Sequence, residues 1–274
     1  MPGAEIRLLK KHEEFRKCES VQESIWGGLS VSAESMLVTQ TFGGAVLGAF
    51  VEDRLVGFIY ALLARRRGRI IHWSHMMGIL PRFRGQGLGL RLKLAHRDIA
   101  LRQGIRSICW TYDPLQSRNA SLNLAKLGAQ VEEYVVDYYG HFPSIIERGL
   151  PSDRFIVNWR IASKSVKRCL AARKPMREIP VAPSVNVTGN NRRGFLVNRT
   201  IDFNHREPHL LVEIPLSTDP MRAEALTLAK RWRLQTRNIF QHYLSKGYVV
   251  DNFFTEDRDP AKSRGFYLLR RSRS

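Results

Sequence analysis

Acidic side chains are scarce in this chain. Its 274 residues hold 25 Asp and Glu against 44 Lys and Arg, a formal net charge of +19. The imbalance is sharpest between Arg65 and Arg106, where eleven Lys or Arg accompany one acid, Asp98. Such an excess points to nucleic acid, an anionic membrane surface or a polyanionic ligand, and says nothing about fold. Cysteine is also scarce. Cys18, Cys109 and Cys169 lie far apart without Cys-x-x-Cys spacing, so neither a disulfide framework nor a zinc site is implied and no metal is expected. Cys109 falls in an apolar stretch, where a buried thiol is the simple reading. No apolar run approaches the length needed to span a bilayer, and the opening Met-Pro-Gly-Ala-Glu-Ile-Arg lacks an apolar signal region. The expectation is therefore a cytoplasmic protein without a membrane partner. An apolar content of 43% is ordinary for a globular chain long enough for one large domain or two small ones.

What is present reads as alternating strands and helices. Residues 6–9 form a short strand. A helix follows from about Lys11, with Phe15, Cys18 and Ile25 on one face and a stop at Trp26-Gly27-Gly28. Residues 44–64 read as a hairpin turning at Glu52-Asp53-Arg54. A strand over 70–80 leads into a helix whose Leu88, Leu92, Ala95 and Ile99 share a face, with Gly104 as the stop. A strand over 105–112 breaks at Asp113-Pro114; a helix from about Ser117 to Lys126 and strands over 130–136 and 155–161 follow. Residues 163–207, basic and rich in Pro, Asn and Gly, read as a connector. Beyond it, 209–215 is a strand and Asp219-Pro220 starts a helix. The stripe Met221, Ala225, Leu228, Trp232, Ile239 and Tyr243 runs to Lys246-Gly247, and strands over 247–254 and 266–269 close the block. This β-α-β-β unit is too small to be an independent catalytic domain.

The join at Arg84-Gly85-Gln86-Gly87-Leu88-Gly89 carries the most chemistry. Glycines at every second position leave backbone N–H groups uncovered where a helix begins. Orphan amides and the positive end of the helix dipole then aim at one point, which suits a pyrophosphate. A dinucleotide fingerprint would need glycine at 90, where Leu90 stands, and no Gly-Lys-Ser/Thr follows for an NTPase loop. The plain alternative is a strand-to-helix turn that binds nothing.

The pattern Arg-x-x-Gly-x-Gly after Ile79-Leu80-Pro81 resembles the acyl-CoA signature of the GNAT N-acetyltransferases. Together with Trp110-Thr111-Tyr112-Asp113-Pro114-Leu115, Asn119-x-x-x-Asn123 and Gly149-Leu150-Pro151, it resembles a subgroup whose members carry a similar C-terminal extension. The resemblance implies an α/β (α+β) GNAT fold, a mixed central sheet flanked by helices, over residues 1–162. The connector 163–207 and an α/β extension over 208–274 would follow. It further implies acetyl-CoA as co-substrate and a small amine or a protein amino group as acceptor, attacking the thioester directly between the splayed strands 70–80 and 105–112. Backbone groups of Met77, Ile79 and Leu80 would hold the pantetheine arm. Arg84, Gly85, Gln86, Gly87, Leu88 and Gly89 would hold the diphosphate, and Asn119 would hydrogen-bond the cofactor.

His75, four residues before Ile79, is the candidate base, because an imidazole titrates near neutral pH. A histidine hydrogen-bonded within the sheet is the competing reading, and His72 falls on the opposite face. In the family a tyrosine in Tyr-x-Lys-x-Gly-Phe protonates the leaving thiolate. Here the stretch is Leu124-Ala125-Lys126-Leu127-Gly128-Ala129, with Ser117 at the position of the usual Asn. Tyr112 is the substitute acid. Asp113 is left to bind a cationic amine, to act as a base or to cap the next helix. Tyr243-Leu244-Ser245-Lys246-Gly247-Tyr248 faintly echoes the same helix end and is read as coincidence. The alternative function is a non-catalytic acyl-CoA-binding or regulatory protein with a basic nucleic-acid-binding surface. No readout motif accompanies the charge, so nucleic acid is not expected, and homodimerisation stays open.

Overall fold

The computed structural model describes residues 3–28, 30–140, 149–172, 178–256 and 263–272. It is a mixed α/β structure of two compact units. The described part of one covers residues 3–110 and 159–164; that of the other covers 111–140, 149–158 and the described residues of 165–272. Among the described residues no helix is long and apolar enough to cross a membrane.

In the first unit, β1 (Glu5–Leu8), β2 (Ala45–Val51), β3 (Arg54–Arg66) and β4 (Arg69–Ile79) are successive antiparallel neighbours. The β2–β3 turn sits where Glu52 and Asp53 take positive φ. β5 (Ile108–Tyr112) begins in this unit and pairs with β4 in parallel, through His72–Ile108 and Trp73–Cys109. Helices α1 (His12–Trp26) and α2 (Ala33–Thr41) cover one face, where Phe15, Cys18 and Met36 pack with Phe58 and Tyr60. Helix α1 ends where Gly27 turns left-handed, as its sequence anticipates. Helix α2 went unforeseen: it is short and has little apolar asymmetry, and its start is a Ser32 cap on Ser35 N–H. On the other face α3 (Leu88–Arg102) lays Leu88, Leu92, Ala95 and Ile99 against Val56 and Ile59, the expected stripe.

The second unit holds β6 (Gln130–Val135), β7 (Arg154–Trp159, all but its last residue), β10 (His209–Pro215), β11 (Tyr248–Glu256) and β12 (Arg264–Arg271), in the order β7-β6-β11-β12-β10. The segment read as connector is structured where described. It contains α5 (Lys164–Ala171) and a separate two-stranded sheet of β8 (Asn186–Asn190) and β9 (Leu196–Ile201). Residues 173–177 of its basic stretch lie outside the described residues. The polar, Asn-rich strands hide this hairpin from a hydrophobic-periodicity reading. Helix α4 (Ser117–Ala120) continues as π-helix over Ser121–Lys126 and leads to the β6–β7 hairpin. Helices α6 (Asp219–Glu224) and α7 (Leu226–Ser245) lead to the β11–β12 hairpin in the same way. The two hairpins meet antiparallel at Val131–Val250, and both helices end on a left-handed glycine, Gly128 and Gly247. The echo in Tyr243–Tyr248 thus coincides with a repeated helix-to-hairpin step.

Beneath α3 lies a buried polar cluster. Lys93 is 2% exposed, its ammonium donates to Ser74 Oγ at 3.1 Å, and it sits 3.6 Å from the Trp110 ring centroid. One turn on, His96 Nε2 lies 2.9 Å from His72 Nδ1, whose other nitrogen contacts Gly43 O at 3.1 Å. Burial pushes the Lys93 pKa down to about 7. The unfolded chain therefore binds the Lys93 proton over a pH range where the folded chain has released it, and stability gains as pH rises above neutrality. Lys93→Met should melt near the parent at about pH 7, since apolar replacement of a buried charge is often neutral or better. The parent should then gain on the variant by on the order of 1 kcal/mol per pH unit towards about pH 9. Thermal melts at both pH values check this; a constant difference would mean that the ammonium stays charged.

Candidate functional site

The turn between β4 and α3 is built by two glycines that no other residue replaces without strain. After the 3-10 turn Pro81–Phe83, Gly85 and Gly87 take φ of +78° and +79°. Gly87 is the N-cap of α3, so the first α3 amides emerge beside it. A Cβ at Gly85 or Gly87 would meet no atom within 4 Å, so open space lies over the turn, as an incoming phosphate needs. Gln86 Nε2 donates to Arg82 O at 3.2 Å and Arg84 Nε donates to Ile79 O at 2.9 Å, which bind the turn to the strand end. Arg84, Gln86 and Gly87 are exposed and Leu88 is buried as the first apolar anchor of α3.

β4 carries a bulge on the way to this turn. Tyr60 pairs with Met76 and Ala61 with Ser74, so His75 is the extra residue. Its ring meets Tyr60 edge-on at 6.0 Å, and the hydroxyl of Tyr60 lies 2.9 Å from Thr39 Oγ1. His75 is exposed, yet enclosure by surrounding protein lowers its pKa below the usual 6.5. It is neutral at physiological pH and able to take a proton. His72 is the structural histidine of the pair: it is buried against His96, on the face away from Tyr60. Among the described residues the β4–β5 register ends at Trp73, and the β4 edge from Ser74 to Ile79 has no further strand partner on that side. Met77 and Ile79 keep their pairing with Ile59 and Gly57, and Leu80 N donates to Val56 O, so that edge is held from its other side. The bulge was not foreseen, because nothing in the local pattern of alternation around His75 marks an inserted residue.

The candidates of the second unit have other partners. Asp113 is gripped by both Nη atoms of Arg233 at 2.7 Å, and Arg222 lies at 3.3 Å. Burial alone would raise the Asp113 carboxyl, but the Arg233 guanidinium reverses this and holds it below its ordinary value. Asp113 Oδ1 also accepts from Leu115 N, the turn-forming role expected of Asp before Pro. A carboxylate so engaged is no general base, which corrects that expectation. The hydroxyl of Tyr112 donates to Tyr267, which donates to Pro114 O, and burial pushes the Tyr112 pKa up. Tyr112 is thereby a core residue, against its expected role as acid. Leu124, at the position of the usual tyrosine, is buried. Asn119 is half-buried on α4.

Residues 12–129 match the sequence model of the acetyltransferase (GNAT) family. No curated protein matches the chain in sequence. Among solved structures, the ribosomal-protein-S18-alanine N-acetyltransferase of Escherichia coli is 14% identical, covering 58% of this chain and 95% of its own, with a TM-score of 0.47. Arabidopsis thaliana Naa50, in complex with the bisubstrate analogue CoA-Ac-MVNAL, is 15% identical over 57% of this chain and 97% of its own, with a TM-score of 0.46. A putative acetyltransferase of Salmonella typhimurium, with its cofactor acetyl-CoA, is 17% identical over 59% and 95%, with a TM-score of 0.45.

The grip on Asp113 sets a stability expectation. Arg233 is 1% exposed, so its loss strands a buried carboxylate. Arg233→Ala should destabilise the protein by about 3–5 kcal/mol, and Arg222→Ala by clearly less. Denaturant unfolding of the two variants checks the order; equal losses would make Arg222 as important a partner of Asp113 as Arg233, and a larger loss for Arg222→Ala would make it the principal one.

Proposed function

Since residues 12–129 belong to the GNAT family of acetyltransferases, we propose that the chain transfers the acetyl group of acetyl-CoA to an amine by direct attack on the thioester. The observation that carries this reading is the turn at Arg84–Gly89, whose left-handed glycines free the first α3 amides beneath open space. Those amides and the α3 dipole bind the diphosphate. The β4 edge over Ser74–Ile79, without a strand partner on its β5 side among the described residues, takes the amides of the pantetheine arm as an added strand. Acetyl-CoA supplies an activated acyl group with a thiolate leaving group.

His75 removes a proton from the attacking amine, directly or through water. Its placement in a β4 bulge at the strand edge and its lowered pKa support this role. With Leu124 buried at the usual tyrosine position and Tyr112 bonded to Tyr267, the thiolate is protonated by solvent, which suffices for a thiol of ordinary pKa near 8.5. The same two observations favour a second reading, a non-catalytic acyl-CoA-binding protein. An amine-panel assay of free CoA release separates the two. Acceptors are a small amine or a protein amino group.

Acetyl-CoA should bind with micromolar or tighter affinity, and Gly87→Glu should abolish binding. The new side chain would strain a left-handed position and set a carboxylate where the diphosphate belongs. Calorimetry giving equal affinity for parent and variant would remove the cofactor assignment.

His75→Gln should lower the turnover number on the order of a hundredfold while sparing acetyl-CoA affinity. In the parent the rate should rise with pH through a titration below 6.5, because the neutral imidazole is the active form and its pKa is lowered. That limb should vanish in the variant. A limb that survives unchanged would place the base elsewhere.

A further inference from the structure

We propose that the second unit carries a separate binding site for a small nucleotide-type phosphate ester, in the cavity between β9 and the start of α7. It is an open groove of about 790 Å3. Its charge is lopsided: Arg193, Arg199 and Arg231 line it against the single acid Glu224. Two of the guanidiniums are tethered. Arg193 reaches Glu224 O at 3.4 Å and stands 3.9 Å from the Glu224 carboxylate, while Arg199 donates to Asn190 O. Arg231 forms no ion pair among the described residues and is exposed, so its charge is available to a ligand. The N-terminus of the 20-residue α7 opens into the same cavity at Leu226 and Thr227 and adds a positive dipole end.

The remaining wall suits a flat or apolar group. Phe195 lies under the Arg193 guanidinium, 5.3 Å from its ring centroid, and Leu228 faces the cavity from α7. A phosphate on the arginines and a base against Phe195 is the arrangement this chemistry accepts. Both walls are fixed in place. Trp232 Nε1 donates to Leu196 O at 2.8 Å and Asn198 Nδ2 donates to Gln235 Oε1 at 3.0 Å, locking β9 onto α7. Asn191 Oδ1 accepts from the amides of Arg193 and Phe195, which sets the hairpin tip. The groove thus sets three exposed guanidiniums on a fixed frame.

The test is calorimetric titration of the full chain with AMP, inorganic phosphate and a short oligouridylate. Each titration is run with CoA saturating the glycine turn and again in the Gly87→Glu background. AMP should bind in both settings. Arg231→Glu and Arg199→Glu should each weaken it about tenfold or more, with the melting temperature and acetyl-CoA affinity kept. AMP affinity unchanged in both variants overturns the site. Inorganic phosphate binding as tightly as AMP overturns nucleoside recognition, and oligouridylate binding far more tightly than AMP makes the surface one for RNA. Because the arginine variants are read with AMP, failure of the acetyl-CoA reading would appear only in the Gly87→Glu comparison.

Discussion

Turning a strand into a helix within a few residues, with the peptide N–H groups left outward, constrains everything else at the β4–α3 join. Side chains with a Cβ avoid positive φ, so the backbone path through Gly85 and Gly87 is open to glycine and strained for its replacements. The chain accepts the entropic loss of several glycines, and α3 compensates by burying Leu88 at once and Leu92 a turn later. The same path sets the direction of α3 along the sheet, and with it the positions of Lys93 and His96 below. The buried cluster of Lys93, Ser74, His72 and His96 is therefore a consequence of the turn as much as of the helix's own pattern. An ammonium held between a serine hydroxyl and a tryptophan face is partnered, which makes its burial tolerable.

In the second unit, carboxylates play the part that glycine plays in the first. Asp113, Asp153 and Glu213 are enclosed and each is met by an arginine: Arg233, Arg237 and Arg264. Asp153 also accepts from the hydroxyl of Tyr134 at 2.6 Å. Removing one partner of such a pair leaves an uncompensated charge, so these contacts fix which surfaces can meet more than they add to net stability. The helices α4 and α7 each deliver a hairpin to one sheet, and the β6–β11 seam closes what would be an exposed strand edge on either hairpin.

Much of this was legible in the residues. The glycine turn, the α3 stripe, the Gly27 stop of α1 and the Asp219-Pro220 start of α6 are local signals, each tied to a backbone requirement within a few residues. What stayed hidden depends on partners far along the chain. Asp113 is a turn residue by its neighbours and becomes the anion of a buried pair only because Arg233 arrives 120 residues later. Tyr112 reads as a candidate acid until Tyr267, 155 residues on, takes its hydroxyl. The β8–β9 hairpin escapes notice because it is built on asparagine, with Asn186 Nδ2 bonded to Asn198 Oδ1 at 2.7 Å in place of an apolar pair. The His75 bulge is invisible for another reason: a bulge is a property of two strands in register, and one strand's sequence does not contain it.

The charge excess then divides by location. Arginines that meet buried carboxylates are neutralised and contribute nothing to attraction at a distance. Among the described residues, Arg82 and Arg84 in the glycine turn and Arg199 and Arg231 beside β9 form no ion pair. The first pair sits in a turn whose backbone already favours an anion, so side-chain charge there raises the local concentration of a polyphosphate before any contact forms. The second pair has no such backbone nest beyond one helix end and must supply its attraction through guanidiniums. That difference predicts different salt responses: attraction to the turn, made largely by fixed peptide dipoles at short range, should weaken less with ionic strength than attraction to exposed arginines. A high net charge read from composition is thus two physical arrangements, and only the structure separates them.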